Sequence, residues 1–156
     1  MTSEEEIMKQ LIDYAHEKIE KNNAYPFCAF IVKNGVIISR GYNLRVNAYG
    51  DKTMHGEMEA IKKACKSLHA GVFLKGYSLY STCEPCLACF DSALWSGINK
   101  FIFSVSHVDY PNYFNDHPYH IEDYEKDNPD EITVIRDILR QKGKELFKKA
   151  KQKYGW

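Results

Sequence analysis

The chain has 156 residues, and its 21 basic and 21 acidic side chains give a formal net charge of zero at pH 7. This balance provides no broad electrostatic attraction to nucleic acid, and no apolar stretch reaches the roughly 20 residues that a membrane-spanning helix needs. The five cysteines are odd in number and clustered, which argues against a disulfide framework and predicts a reducing compartment. The acidic N-terminus shows no secretory pattern, so the sequence predicts a cytoplasmic protein in which residues 1–156 form one domain.

The first part of the chain predicts a helix followed by a β-hairpin. Ser3 and Glu6 have the spacing of a capping box. After them comes an apolar stripe at helical spacing, formed by Met8, Leu11, Ile12, Ala15 and Ile19. Two strand-like runs, 27–33 and 36–42, are joined by Asn34-Gly35, which is typical of a tight hairpin turn. The first two strands are therefore predicted to be antiparallel.

The rest of the chain alternates helical and strand patterns. A helix over 55–68 precedes a strand over 77–81, and a helix beginning at Pro85 precedes a strand over 100–106. A short strand at 132–135 and a helix over 137–154 close the chain. Strands that alternate with helices predict right-handed crossovers and parallel pairing.

Two short motifs carry the candidate chemistry. His55-Gly56-Glu57 is followed, after a helix and a strand, by Pro85-Cys86-Leu87-Ala88-Cys89. At the start of a helix, Cys86 and Cys89 lie on one face near the positive end of the helix dipole, which favours the metal-binding thiolates. With His55 they make three ligands, which leaves the fourth position of a tetrahedral zinc site open for water. We therefore predict one Zn²⁺ per chain, held by His55, Cys86 and Cys89, with Glu57 close enough to exchange protons with the water.

An H-x-E motif followed by P-C-x-x-C is the signature of zinc deaminases. From about residue 4 to the end, the chain resembles the cytidine-deaminase-like superfamily of zinc hydrolytic deaminases. The resemblance implies an α/β fold: a three-layer α-β-α sandwich with a mixed five-stranded sheet and helices on both faces. It also implies that zinc-bound hydroxide attacks the amine-bearing carbon of a nucleobase while Glu57 shuttles protons and ammonia leaves.

The resemblance also assigns substrate contacts. Asn43 matches a base-contacting asparagine, although a turn-forming role is the alternative. Phe27 matches a residue that lines the base pocket, or is a plain core residue, and the backbone at Gly56 is a further candidate. The stretch 114–116 resembles the Phe-Asp-Asp stretch of guanine deaminases, in which Asp116 matches the acid that contacts the base. Tyr154 resembles a near-terminal tyrosine that guanine deaminases bring to the site, often from a partner subunit.

The substrate is the least determined feature of the sequence. Guanine is favoured by the Cys-Glu-Pro-Cys context, by the stretch 114–116 and by Tyr154. Residues 41–45, together with Gly56 where most relatives have alanine, resemble fungal cytosine deaminase. Adenosine in tRNA is a third candidate because the closing helix is basic, but residues 107–131 carry eight acidic side chains and one lysine. A zinc protein without catalysis is a further alternative, against which Glu57 argues. The expected partners are a small nucleobase and a second copy of the chain in a homodimer, with no nucleic acid and no membrane. His117 and His120 are predicted to lie at the surface without a role.

Overall fold

The computed structural model describes residues 1–44, 50–69, 73–110 and 119–155. Within these ranges the helices are α1 (Ser3–Asn22), α2 (Gly56–Ser67), α3 (Leu87–Trp95), α4 (Ile121–Asp127) and α5 (Arg140–Tyr154). The strands are β1 (Ala24–Lys33), β2 (Val36–Leu44), β3 (Ser78–Cys83), β4 (Lys100–Val105) and β5 (Thr133–Ile135). Among the described helices, none combines the length and the apolar character that crossing a membrane requires.

The strands form one mixed sheet in the order β2-β1-β3-β4-β5. β1 is antiparallel to both β2 and β3, whereas β3, β4 and β5 are parallel to one another. The predicted mixed five-stranded sheet and the parallel pairing of its second half are therefore confirmed.

Helices cover both faces of this sheet, as the predicted three-layer sandwich requires. One core contains the apolar faces of α1 and α5, packed against β1 residues such as Phe30. The other contains the apolar faces of α2 and α3, packed against β4 residues such as Phe101 and Phe103. The helices that carry the two sequence motifs consequently lie on the same face.

The start of α1 differs from the prediction by one residue. Thr2 is the N-cap, and its hydroxyl accepts a hydrogen bond from the Glu5 N–H at 3.2 Å. The Glu5 carboxylate accepts one from the Thr2 N–H at 2.8 Å. The predicted capping box of Ser3 and Glu6 is wrong because Ser3 is already helical, while Thr2 keeps the extended backbone that an N-cap needs.

The predicted hairpin between β1 and β2 is confirmed. Asn34 and Gly35 both have positive φ, 49° and 77°, as a two-residue turn of this hand requires, and Lys33 pairs with Val36. β1 begins earlier than predicted, at Ala24, and its register with β2 is irregular between Ala24 and Cys28.

The last helix begins later than predicted. Asp137 and Leu139 have positive φ values of 62° and 50°, which a right-handed helix excludes. α5 therefore starts at Arg140, and its buried side includes Leu146, Phe147 and Ala150.

Candidate active site

The N-termini of α2 and α3 carry the residues of both sequence motifs. His55 is the N-cap of α2 and has an extended backbone, so the side chains of His55 and Glu57 are not restricted to opposite sides of the helix. Cys86 is the N-cap of α3, and Cys89 lies in its first turn. Pro85 therefore precedes the N-cap, and the prediction that it opens the helix is wrong. Both thiols are nevertheless at the start of the helix, as predicted.

The three predicted ligands lie together with a spacing that fits zinc. His55 Nδ1 is 3.5 Å from Cys86 Sγ and 3.4 Å from Cys89 Sγ. Tetrahedral zinc, with bonds of about 2.0 Å to nitrogen and 2.3 Å to sulfur, separates such atoms by about 3.5 Å. The two thiols and the imidazole are thus placed to bind one zinc ion, and a fourth position is left for a small ligand.

The protonation of the two thiols differs. A hydrogen bond from the Cys89 thiol, followed by one involving His55, lowers the pKa of Cys86 to about 4. The same hydrogen bond to Cys86, together with burial, raises the pKa of Cys89. The hydrogen bond with Cys86 also raises the pKa of His55 to about 9, even though burial opposes that shift. Zinc binds thiolates and a neutral imidazole, so its binding displaces the protons that this cluster of three side chains shares.

Glu57 is a buried carboxyl next to this cluster, with a relative exposure of 6%. Burial is the main cause that raises its pKa to about 7, and the negative charge of Cys86 adds to the shift. A carboxyl that titrates near neutral pH can both accept and release a proton under ordinary conditions. This property suits the proton transfer predicted for Glu57.

Two glycines, which the sequence analysis did not link, allow α2 to approach the sheet closely. A Cβ atom on Gly41 would lie 2.0 Å from the Gly56 carbonyl oxygen and 2.6 Å from the Ala60 nitrogen. A Cβ on Gly56 would lie 2.5 Å from the Phe27 carbonyl oxygen. The Tyr42 N–H also donates to the carboxylate of Glu59 in α2, at 3.0 Å. Direct backbone packing against β1 and β2 thus positions the N-terminus of α2.

The predicted substrate contacts occupy different surroundings. The Asn43 amide, oriented by its hydrogen-bonding pattern, donates to the carbonyl of Met54 at 2.9 Å, immediately before His55. Phe27 packs edge-on against Phe147, with ring centroids 5.4 Å apart. The Tyr154 hydroxyl donates to the Ala24 carbonyl at 2.7 Å. Asp116 lies outside the described residues, and a role in substrate binding stays a prediction for all of these residues and for Gly56.

A His, Cys, Cys metal site with a buried glutamate, placed on two helix N-termini of a three-layer sandwich, defines a class of zinc hydrolases. Residues 1–105 match the family model for the cytidine and deoxycytidylate deaminase zinc-binding region. The chain therefore belongs to this family of zinc-dependent deaminases, which hydrolyse C–N bonds of nucleobases and nucleosides.

Known relatives act on different substrates. The chain is 37% identical over 105 residues to a guanine deaminase of Bacillus subtilis, which covers 67% of this chain and 66% of that protein. It is 42% identical over 101 residues to a tRNA-specific adenosine deaminase of Aquifex aeolicus, covering 65% of each. The matches thus span just under two thirds of the relatives' own length. The structure of a guanine deaminase from Nitrosomonas europaea shares the fold, with a TM-score of 0.80 and 22% identity over 93% of this chain and 82% of that one.

Proposed function

We propose that this chain is a zinc-dependent hydrolase that deaminates a free nucleobase, with guanine as the substrate and xanthine and ammonia as the products. The observation that carries this proposal is the buried Glu57 carboxyl beside three metal ligands that leave one zinc position open. A purely structural zinc site has four protein ligands and no use for a proton-transferring carboxyl.

Each residue of the site has a defined task in this reaction. When bound, zinc acts as a Lewis acid that makes a water molecule a better nucleophile at neutral pH. Glu57 would accept one proton from that water and pass it to a ring nitrogen of the base, and it would then move the remaining proton of the added hydroxyl to the departing amine. The C–O bond would form at the amine-bearing carbon as the adjacent ring C=N bond opens, and the C–N bond to the amine would break afterwards, so that ammonia leaves and a carbonyl remains. Asn43, Phe27 and the backbone at Gly56 hold the base in position for this attack.

The guanine assignment rests on residues outside the zinc site. The carboxylate of Asp116 can accept hydrogen bonds from the ring N–H and the exocyclic amine that guanine presents side by side. The relative in Bacillus subtilis, a guanine deaminase, supports the same assignment. The Tyr154 hydroxyl donates a hydrogen bond to the Ala24 carbonyl of its own chain, so it can donate to a base only after a change of orientation.

Adenosine in tRNA is the second candidate. The relative in Aquifex aeolicus has this activity, and α5 carries a high density of lysine. Phosphate binding depends on excess positive charge, however, and the chain has a formal net charge of zero. The acidic side chains of residues 107–131 further oppose a polyanion, so we rank a small base above tRNA. Cytosine and a zinc protein without catalysis are the remaining alternatives.

We further propose that residues 1–156 act as one catalytic domain in a cytoplasmic homodimer. All five cysteines are free, which suits a reducing compartment. Trp95, at the end of α3, and Phe73 are large apolar side chains with relative exposures of 79% and 72%, which supports a protein contact there. Light scattering coupled to gel filtration, on the wild type and on Trp95→Ala, measures whether the chain dimerises through this surface.

The test of the substrate is ammonia release by the zinc-loaded protein. The panel contains guanine, cytosine, adenine, their nucleosides and a tRNA anticodon stem-loop, and Glu57→Gln is the matched inactive control. We expect turnover of guanine by the wild type, and its loss in the variant. If only the stem-loop is turned over, the proposed substrate is tRNA and not guanine. Zinc binding without turnover of any compound would contradict deamination of these substrates.

A further inference from the structure

A second group of metal-binding side chains lies outside the site described above. Glu84 is in the turn between β3 and α3, His107 follows β4, and His120 is the N-cap of α4. One ligand atom from each residue lies within 4.8 Å of the others. The fold thus brings together three residues from separate segments of the chain, and the proposed function uses none of them.

The distances in this cluster are close to those around a metal ion. The Nδ1 atoms of His107 and His120 are 3.4 Å apart, and His120 Nδ1 is 3.8 Å from Glu84 Oε1. A tetrahedral ion with bonds of about 2.0 Å to nitrogen and oxygen separates its ligand atoms by about 3.3 Å. The two imidazole nitrogens already have this spacing, and a small rotation of the Glu84 side chain would bring Oε1 to the same distance from His120 Nδ1.

The burial of Glu84 points to a cation in the same place. Its side chain is only 9% exposed, and its other carboxylate oxygen accepts a hydrogen bond from the His107 N–H at 3.1 Å. That hydrogen bond orients the carboxylate, so that Oε1 is the oxygen directed to the His120 ring. A buried carboxylate is costly unless positive charge and hydrogen bonds lie beside it, and here the described neighbours of Oε1 are imidazole rings. A divalent cation bound between the three side chains would supply that positive charge.

We propose that Glu84, His107 and His120 form a second metal site that binds Zn²⁺. Two imidazoles and a carboxylate are a ligand set that zinc accepts, with at least one position left for water. The site differs chemically from the first because it has no thiolate ligand. It connects the N-terminus of α4 and the turn after β4 to the β3–α3 turn, which carries Cys86. The proposal does not depend on the substrate or on catalysis at the first site.

Zinc stoichiometry tests this site directly. The full-length chain is saturated with Zn²⁺, passed through a desalting column and analysed by elemental mass spectrometry. We expect two zinc ions per chain in the wild type and one in His120→Ala, a partly exposed position that tolerates alanine. Glu84→Gln, which keeps an acceptor for the His107 N–H, should also lose one. The control His16→Ala, in the middle of α1, should keep both, and His55→Ala should lose only the ion of the first site.

Two results would overturn the proposal. One is a single zinc ion per wild-type chain at saturation, which would mean that Glu84 and the histidines form only an ion pair and a ring contact. The other is the retention of two ions in both His120→Ala and Glu84→Gln, which would place the second ion elsewhere.

Cobalt substitution gives a readout that is independent of activity. Co²⁺ bound by Cys86 and Cys89 shows thiolate-to-metal charge-transfer absorption, whereas a site made of nitrogen and oxygen does not. We expect the second equivalent of Co²⁺ to add weak ligand-field absorption without further charge transfer. His120→Ala should weaken the binding of this second Co²⁺ by more than about 100-fold, which exceeds the effect of losing a residue that only supports a ligand. Additional charge-transfer absorption from the second equivalent would contradict the assignment, because it would show binding to another cysteine.

Discussion

Replacement of Gly41 by alanine is the sharpest test of how β2 positions the active site. The added Cβ would lie 2.0 Å from the Gly56 carbonyl oxygen, although real contacts of this kind are essentially never shorter than 3.0 Å. β2 and α2 must therefore separate locally by at least about 1 Å. The contacted atoms belong to the backbone at the start of α2, so a rotation of a side chain cannot relieve the overlap.

Two effects of opposite sign determine how much Gly41→Ala changes the free energy of unfolding. Alanine reduces the entropy of the unfolded chain, which favours folding by about 0.4–1 kcal/mol. Overpacking in a buried position costs about 1–3 kcal/mol, and rigid backbone on both sides places this variant at the upper end. We expect Gly41→Ala to lower the free energy of unfolding by about 2 kcal/mol. A 1 Å displacement of Glu57 would also reduce turnover by about 100-fold.

Urea denaturation and ammonia release by the same preparations measure the two consequences, and zinc analysis shows whether the metal is retained. Gly56→Ala, whose Cβ would meet its nearest atom at 2.5 Å, should be less damaging than Gly41→Ala. Val36→Ala is the control in the same strand, because Val36 is 61% exposed. If Gly41→Ala unfolds within about 0.5 kcal/mol of the wild type and keeps its zinc and its rate, α2 is not held against β2 as described.

Three further predictions concern the site and its support. Glu57→Gln should keep zinc but lose turnover by about 10²–10⁴-fold, and a near-normal rate would remove Glu57 from the mechanism. In chelator-treated protein, the wild type should lose about 3 kcal/mol of stability relative to Glu57→Gln between pH 4 and pH 8. Burial raises the pKa of Glu57 from 4.5 to about 7 in the folded protein, so the unfolded chain releases this proton first as the pH rises and the folded state loses stability. Equal urea midpoints for the two proteins at both pH values would contradict this prediction. Thr82→Val should lower the free energy of unfolding by about 1–3 kcal/mol, because the buried Thr82 hydroxyl accepts from the Cys28 N–H at 3.0 Å and donates to the Pro26 carbonyl at 2.6 Å. Thermal unfolding checks it, with the exposed Thr53→Val as the control, and a change no larger than that of the control would refute it.

The sequence alone determined most of the local elements and predicted the candidate ligand set. Asn34-Gly35 specifies its turn through backbone conformations that depend on those two residues. The two metal-binding motifs are also specified locally, because a helix N-terminus is recognisable from a few neighbouring residues and zinc needs particular donor atoms. Residue type and spacing were therefore sufficient to predict that His55, Cys86 and Cys89 lie together, as they do in the structure. Signals of this kind are precise to about one residue, as the shift from Ser3 to Thr2 and the position of Pro85 show.

The tertiary structure alone decided which distant residues are neighbours. No residue pattern near Gly41 predicts that Gly56 packs against it, because that contact depends on how closely α2 approaches the sheet. The sequence placed His120 at the surface without a role, whereas the fold sets it beside His107 and Glu84. Such contacts arise from strand order and helix packing, which are properties of the whole core and are not encoded within any short stretch of chain.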